Sequence, residues 1–422
     1  MKDDPFLTAS PLPAGFQWGA VRAGIKASGN LDLAIAVVHG ASAAIGAAMF
    51  TTNRVVAAPV TVGRRHLEST GGRVAAVLVN AGNANCATGA TGIEGCVATC
   101  VAAAESFGCI FDEVFPSSTG IIGVPFPADK VIAAMPELKS SVGNTEQHAE
   151  DFVRAIMTTD TRMKTARAVV PIAASTQDAG KATEVRIWGA AKGAGMIHPQ
   201  LGAPVGPAHA TMLVYLFTDV AAETAELNSA LAAAVEPSFN SISIDGDTST
   251  NDTVLLLASG ASGASLTREL APAFDAALSE VCRSLARQIV ADGEGVGHVV
   301  TLDIRGAASA AEARLVAKAI AHSPLCKTAW SSADPNWGRL LAAAGYSGAT
   351  FDPERVRIWI GDQLVFEYGA RAGVFNEAAA HQAMSQHEYT IAIDLGEGKG
   401  ECLFLTCDLT AEYVHINADY ST

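Results

Sequence analysis

Apolar residues along this chain follow two rhythms, one alternating or unbroken and the other close to the helical period, and the two take turns from end to end. The run RVAAVLVN (Arg73 to Asn80) is β-branched and stops at the turn-rich AGNAN, which predicts a strand; a helical pattern follows, roughly Gly92 to Phe107. Thr145 to Met157 reads as an amphipathic helix running into TTDT. TMLVYLF (Thr211 to Phe217) is a short continuous apolar run, as expected of a strand covered on both faces. Phe274, Ala277, Leu278, Val281, Leu285 and Ile289 share one helical face, and Ser309 with Glu312 forms a capping box before a helix to about Ile320. Further on, VRIWI-GD-QLVFEY predicts a hairpin and Asn376 to Ser385 a helix, while YTIAIDL and ECLFLTCDL are strands flanking the glycine-rich turn GEGKG. Hairpins mixed with strand–helix alternation predict an α/β or α+β layered fold in place of a purely doubly wound sheet. The segment LGAPVGPA, between Gln200 and His209, is the clearest loop.

Composition narrows the function classes. A length of 422 residues is enough for two to four structural units. With 28 basic and 43 acidic residues the net charge is −15, which argues against a protein that tracks nucleic acid or lies on an anionic membrane. The opening MKDDPFLTAS has no apolar core of a signal peptide, and no apolar run reaches transmembrane length, so a soluble cytoplasmic protein is expected. The eight cysteines are too dilute for a disulfide framework. Cys86, Cys96, Cys100 and Cys109 lack a CxxC pair and a nearby histidine, so buried thiols are a better reading than a zinc site.

Three patterns carry little chemistry alone. Asp245 and Asp247 in IDGDT match the DxDxT of aspartate-nucleophile phosphohydrolases, but a polar turn explains them better, because no downstream lysine and acidic pair follows. GEGVG (Gly293 to Gly297) and KGAG (Lys192 to Gly195) fit neither nucleotide-loop spacing, so their glycines are expected to let the backbone pass close to a ligand or another strand. Neither GxSxG nor HExxH occurs. The fourth pattern, AHATMLVYLFTD, sets Thr211 after a Pro/Gly-rich loop at the start of a buried strand. A chain cut just before Thr211 would give its hydroxyl a neighbouring α-amine of pKa roughly 7.7–8.0 as general base. The competing reading is an ordinary threonine at a strand start.

The neighbours of Thr211 decide between the two. AGIKASGNLDLA, FTTNRVVAAPV, NAGNANCATG, PSSTGIIG, MTTDT, KGAGMI, ATMLVYLFTD, FNSISIDGDTSTNDT, DGEG, SPLCKTAW, DPNWGRLLAAAGYSG and TCDLTAEYVHINADYST occur in this order over nearly the whole chain, which thereby resembles the ornithine acetyltransferase family. The resemblance implies an αββα-type sandwich bearing the nucleophile over residues 1–297 and a smaller C-terminal α/β domain over 298–422. It implies self-cleavage between Ala210 and Thr211 into α and β fragments, with Thr211 as nucleophile and Thr119 and Gly120 as the oxyanion hole. Substrate binding would fall to Thr158, with Thr159 close behind, and to Lys192, Thr211, Glu294, Asn417 and Thr422. Lys192 and Glu294 suit the carboxylate and ammonium of an amino acid, against a plainer reading as a solvated surface pair.

The implied substrates are N-acetylornithine and glutamate, with no metal or cofactor, acetyl-coenzyme A as an alternative donor in some members, and an assembly of two α and two β chains. Asp245 and Asp247 become a polar structural or site-supporting loop. Two departures stand out: LGAPVGPAH intervenes before the scissile bond, and Arg162 and Met163 replace the family's usual apolar residue and proline. They bear on cleavage and substrate choice more than on fold. Three readings follow: the acetyltransferase, a related acyltransferase or amidohydrolase acting on another amine, and an uncleaved, non-catalytic homologue.

Overall fold

A computed structural model of the chain describes residues 11–40, 43–172, 183–202 and 212–419, and its strands form three sheets. In chain order the strands are β1 (Phe16–Val21), β2 (Leu33–Val38), β3 (Ala44–Thr51), β4 (Arg73–Val74), β5 (Ala76–Asn83) and β6 (Val114–Ile121). Next come β7 (Lys164–Pro171), β8 (Glu184–Lys192), β9 (Leu201–Gly202), β10 (Leu213–Thr218) and β11 (Thr253–Ala258). Last are β12 (Val299–Ala307), β13 (Arg357–Ile360), β14 (Gln363–Glu367), β15 (Ala370–Arg371), β16 (Glu388–Asp394) and β17 (Gly400–Cys407). The first sheet has the order β1-β2-β5-β6; the second runs β4-β3-β11-β10-β8-β7 with β9 beside β3; the third runs β15-β14-β13-β16-β12-β17.

Strand alternation explains how the first two sheets pack. In β10, Leu213, Tyr215 and Phe217 enter the core between the sheets, whereas Val214 and Leu216 enter the core on the other side, beneath the helices Thr224–Val235 and Ala271–Ala291. A strand apolar on both faces is therefore one that separates two cores, as the unbroken run TMLVYLF foretold. The far side of the first sheet packs on the helices Ala58–Thr70 and Gly89–Phe107 through residues such as Ile35, Leu78, Cys96 and Cys100. The result is the expected αββα sandwich. Between its sheets, Trp18 meets Trp188 edge to face with ring centroids 5.1 Å apart, and Trp188 stacks on Phe217 at 5.4 Å. Cys86, Cys96 and Cys100 are buried free thiols, as expected, whereas Cys109 is a free thiol that is only half-buried.

The third sheet and the helices Ala310–Ala321, Pro324–Ser331 and Trp337–Gly345 enclose a separate core drawn from residues between Val300 and Phe404. Ser309 caps the first of these helices by accepting the Glu312 N–H. Ile242 bridges to Leu405, and Arg314 donates to Asn240 O at 2.8 Å, which ties this unit to the sandwich.

Two sequence readings change, and the strands flanking GEGKG, present as expected, find their places in a sheet. RVAAVLVN is two strands, because β4 pairs with β3 of the second sheet while β5 pairs with β2 and β6 of the first. The strands flanking GEGKG do not pair with each other: β12 lies between them, parallel to β16 and antiparallel to β17. The N–H groups of Glu397 and Gly398 donate to Gly306 O at 2.7 and 2.8 Å, so the turn arches over the end of β12. The presumed loop after Gln200 begins as strand β9, whose Leu201 is clamped by Asn240 through bonds of 2.7 and 3.0 Å. The loop's remainder, 203–208, lies outside the described residues.

Candidate functional site

At one end of the sandwich the layer between the sheets turns from aromatic to polar. Lys192, the last residue of β8, shares its strand face with Trp188 and Ala190, both in the inter-sheet core, so its side chain points between the sheets. Thr119 of β6 shares a face with Phe115 in the same way. The two meet across the layer: Lys192 Nζ donates to Thr119 Oγ1 at 3.1 Å, with Thr119 fully buried and Lys192 only 3% exposed. A solvated surface pair is thus excluded for Lys192. Burial pushes its pKa down from the usual lysine value, and Asp160 opposes the shift.

Asparagines fix the end of β6. Asn251 Nδ2 donates to Ala84 O at 2.7 Å and Ser118 O at 2.8 Å, and Ser118 Oγ donates to Asn80 Oδ1 at 2.6 Å. Gly120 follows with φ of 132°, and a Cβ there would lie 2.3 Å from the Gly82 carbonyl carbon. Gly120→Ala is accordingly expected to destabilise the protein by about 2 kcal/mol or more, read as a lower urea midpoint, because only backbone stands in the way of the new methyl.

The TTDT segment joins the site through Asp160. Its carboxylate accepts from Thr158 N at 3.0 Å, Gly193 N at 2.7 Å and Lys164 Nζ at 2.6 Å. Burial alone would raise the Asp160 pKa, but Lys192 and Lys164, with the Gly193 N–H, overcome it and hold the group at about 2. Lys164 is itself buried and also donates to Asp292 at 2.5 Å, while Asp292 accepts from Thr161 N at 3.0 Å and from the Thr161 hydroxyl. One buried ammonium therefore bridges TTDT to the DGEG segment. Asp252, just before β11, is buried with no hydrogen-bond partner for its carboxylate among the described residues; burial raises its pKa well above the usual value and Lys192 opposes this.

Glu294 forms the opposite wall. Its N–H donates to Ala194 O at 2.9 Å, and its carboxylate accepts from Asn417 Nδ2, on the helix Ala411–Asp419, at 2.9 Å. A Cβ on Gly195 would lie 2.4 Å from Glu294 Oε2, so KGAG and GEGVG do approach each other as their glycines suggested. Asp245 accepts the N–H groups of Met196 and Ile197 at 2.6 and 3.0 Å, holding the KGAGMI turn: it supports the site, as the family resemblance implied.

Of the residues singled out from sequence, Thr119, Gly120, Thr158, Lys192, Glu294 and Asn417 are brought to this one end of the sandwich, with Lys192 near enough to Glu294 and Asp160 to feel their charge. Ala210, Thr211 and Thr422 lie outside the described residues. Leu213 is the register partner of Lys192, and Thr253 N donates to Met212 O at 2.9 Å, so the described chain resumes beside Lys192. Sequence reasoning did not single out Asp160, Lys164, Asp252 or Asp292. For Lys164 a signal existed: it opens β7, where Ala166, Ala168 and Val170 mark its face as the buried one. Among the described residues no cluster of metal-ligating side chains occurs, and no helix is long and apolar enough to cross a membrane.

Fold and site together define an αββα sandwich protein with a buried lysine–carboxylate centre at the mouth between its sheets. The chain belongs to the ArgJ family, whose model matches residues 17–422. It is 44% identical over 411 residues to the arginine biosynthesis bifunctional protein ArgJ of Thermus thermophilus, covering 97% of this chain and 99% of that protein. With the protein of the same name from Dehalococcoides mccartyi it shares 41% identity over 413 residues, covering 97% and 96%. Among solved structures, the Bacillus halodurans ArgJ chain is 40% identical over 48% of this chain and 96% of its own, with a TM-score of 0.46. A Mycobacterium tuberculosis ornithine acetyltransferase complexed with ornithine is 36% identical over 45% and 94%, with a TM-score of 0.39.

Proposed function

We propose that this chain transfers the acetyl group of N-acetylornithine to glutamate, in arginine biosynthesis, through an acetyl ester on Thr211. The observation that carries the reading is the Lys192–Thr119 hydrogen bond between the sheets, because it places both side chains beside the start of β10, two residues after Thr211 in the sequence. Family membership over nearly the full length supports it.

Self-cleavage comes first. Thr211 Oγ attacks the Ala210 carbonyl, the peptide nitrogen leaves as the new α-amine, and water opens the resulting ester. In turnover that amine takes the proton from Thr211 Oγ as the hydroxyl attacks the acetamide carbon of N-acetylornithine. Negative charge develops on the acetyl oxygen, where Thr119 and Gly120 supply donors. Collapse of the tetrahedral intermediate returns the proton to the departing ornithine nitrogen and leaves acetyl on Thr211. The amine of glutamate then attacks that ester, loses a proton to the same base and departs as N-acetylglutamate. Lys192 pairs with a substrate carboxylate, Glu294 with an ammonium, and Thr158, Asn417 and Thr422 fix orientation. The working form is two α and two β chains in the cytoplasm, and acetyl-coenzyme A serves at most as a second donor.

The test is direct. Purified protein given N-acetylornithine and glutamate is expected to release ornithine and N-acetylglutamate one for one, with the parallel-line kinetics of a double displacement. Properly cleaved protein that makes no N-acetylglutamate would sink the reading, and a parallel assay with acetyl-coenzyme A decides the second donor.

A further inference from the structure

The donor and acceptor of the proposed reaction share an α-carboxylate but end in opposite charges, an ammonium on N-acetylornithine and a carboxylate on glutamate. Glu294, with Asn417, suits the first and repels the second. A site that takes both by turns needs a cationic wall elsewhere, and one lies beside Thr158.

A cavity of about 390 Å³ opens there, with Arg22, Lys26, Arg154, Thr158 and Asp160 among its lining residues. Its anionic member is already satisfied, since Asp160 accepts from Thr158 N, Gly193 N and Lys164 Nζ. Arg154 is paired with Glu150 and Asp151 on its own helix. Neither remaining cation has a carboxylate within hydrogen-bond or ion-pair distance among the described residues. The Arg22 guanidinium is exposed, with no hydrogen-bond or ion-pair partner among the described residues. Lys26 Nζ donates to the carbonyls of Leu31 at 2.7 Å and Ala155 at 2.9 Å, so two of its protons are held by neutral oxygens and one is left over. Asp32 does not neutralise Lys26 directly: its carboxylate accepts the backbone N–H groups of Ala23, Ile25 and Lys26 at 2.6, 2.5 and 2.9 Å and thereby fixes the loop that presents the lysine. Burial pushes the Lys26 pKa down to about 8 and the nearby Asp32 charge opposes this, while Lys192 and Asp160 of the site also bear on its charge.

We infer that this cavity is the subsite for the side-chain carboxylate of the acceptor, with Lys26 at its floor and Arg22 at its rim, while Glu294 serves the side-chain ammonium of the donor. The inference rests on the acetyltransferase reading and adds to it the device by which one site handles two side chains of opposite sign. Acceptors with a terminal carboxylate are selected over those with a terminal amide for the same reason.

The test separates the half-reactions in cleaved, full-length enzyme. Arg22→Gln and Lys26→Met are each expected to raise KM for glutamate about tenfold or more while kcat changes about twofold at most. The rate at which N-acetylornithine alone loads acetyl onto the C-terminal fragment, followed by intact mass, should shift far less than KM for glutamate. Preference for glutamate over glutamine should fall by a similar factor, and Lys26→Arg should restore it. Lys26→Met removes two internal hydrogen bonds, so a folding defect is to be excluded by its melting curve; Arg22→Gln, on the exposed rim, tests the subsite without that complication. An unchanged KM for glutamate in Arg22→Gln, or equal rises in KM for donor and acceptor, would overturn the subsite. If wild-type enzyme takes no acetyl from N-acetylornithine, the acetyltransferase reading itself fails, and the subsite with it.

Discussion

Thr211→Ala is expected to leave one uncut chain of 422 residues on denaturing electrophoresis, where the wild type is expected to give two fragments breaking before Thr211. The same variant should form no acetyl-enzyme and lose transferase activity by about 10⁴-fold or more, because the substitution removes the attacking oxygen and, by preventing cleavage, the α-amine that activates it. Thr211→Ser keeps both groups and should still cut and turn over, which distinguishes loss of chemistry from loss of fold. Full activity in Thr211→Ala would rule out the nucleophile proposed here. A wild type that never cleaves would favour a silent homologue, and would direct attention to the LGAPVGPAH segment before the bond.

The largest stability effect is expected at Lys164. Its ammonium is the common partner of Asp160 and Asp292, all three side chains being nearly inaccessible to solvent. Lys164→Met keeps most of the volume but leaves two buried carboxylates without their shared counter-charge, a loss of about 3–5 kcal/mol by analogy with other broken buried pairs. The urea midpoint should fall accordingly, and Asp292→Asn added to Lys164→Met should recover part of the loss, since it removes one stranded charge. An unaltered midpoint in Lys164→Met would show that the bridge contributes no stability. The pH dependence has a definite sign. Asp160 is held at about 2, below the ordinary value of 3.8, so its stabilisation is complete above about pH 4 and is lost as pH falls through 2. In Lys164→Met that acid limb should shrink, still starting near pH 4 but ending at a higher pH than in the wild type. Activity should drop along with stability, because Asp160 also holds the N–H groups of Thr158 and Gly193 in the site.

Much of the fold can be read from the chain because its elements carry strong local signals. The hairpin at Gly361-Asp362, the Ser309 cap and the long helix Ala271–Ala291 depend on nearby residues, and local rules suffice for them. Neighbours in a sheet are another matter. Alternating patterns mark β16 and β17 as strands but cannot say that β12 inserts between them, since any apolar strand offers both the same backbone groups. The split of RVAAVLVN escaped for a related reason: passing from one sheet to another at Ala75 costs the apolar pattern nothing. At the site, family resemblance located Lys192, Thr119 and Glu294, yet it left Lys192 open to a surface reading until its strand partners placed it between the sheets. Asp160 and Lys164 sit among polar neighbours in TTDTRMK, where a buried ion network and a solvated turn look alike in one dimension. Position on the inward face of β7 is what tells them apart.

The order of the second sheet has a consequence for how such a protein is made. Reading across it, β4 and β3 precede residue 210, β11 and β10 follow it, and β8 and β7 precede it again. A break at Ala210–Thr211 would therefore leave β10 and β11 of one product seated between strands of the other. Two such pieces could not be parted without melting the second sheet, which they share, although the first sheet lies wholly before the break and the third wholly after it. A chain cut at that bond is therefore expected to be made in one length and folded before it is cut, and genes encoding the halves separately would be expected to yield little working protein.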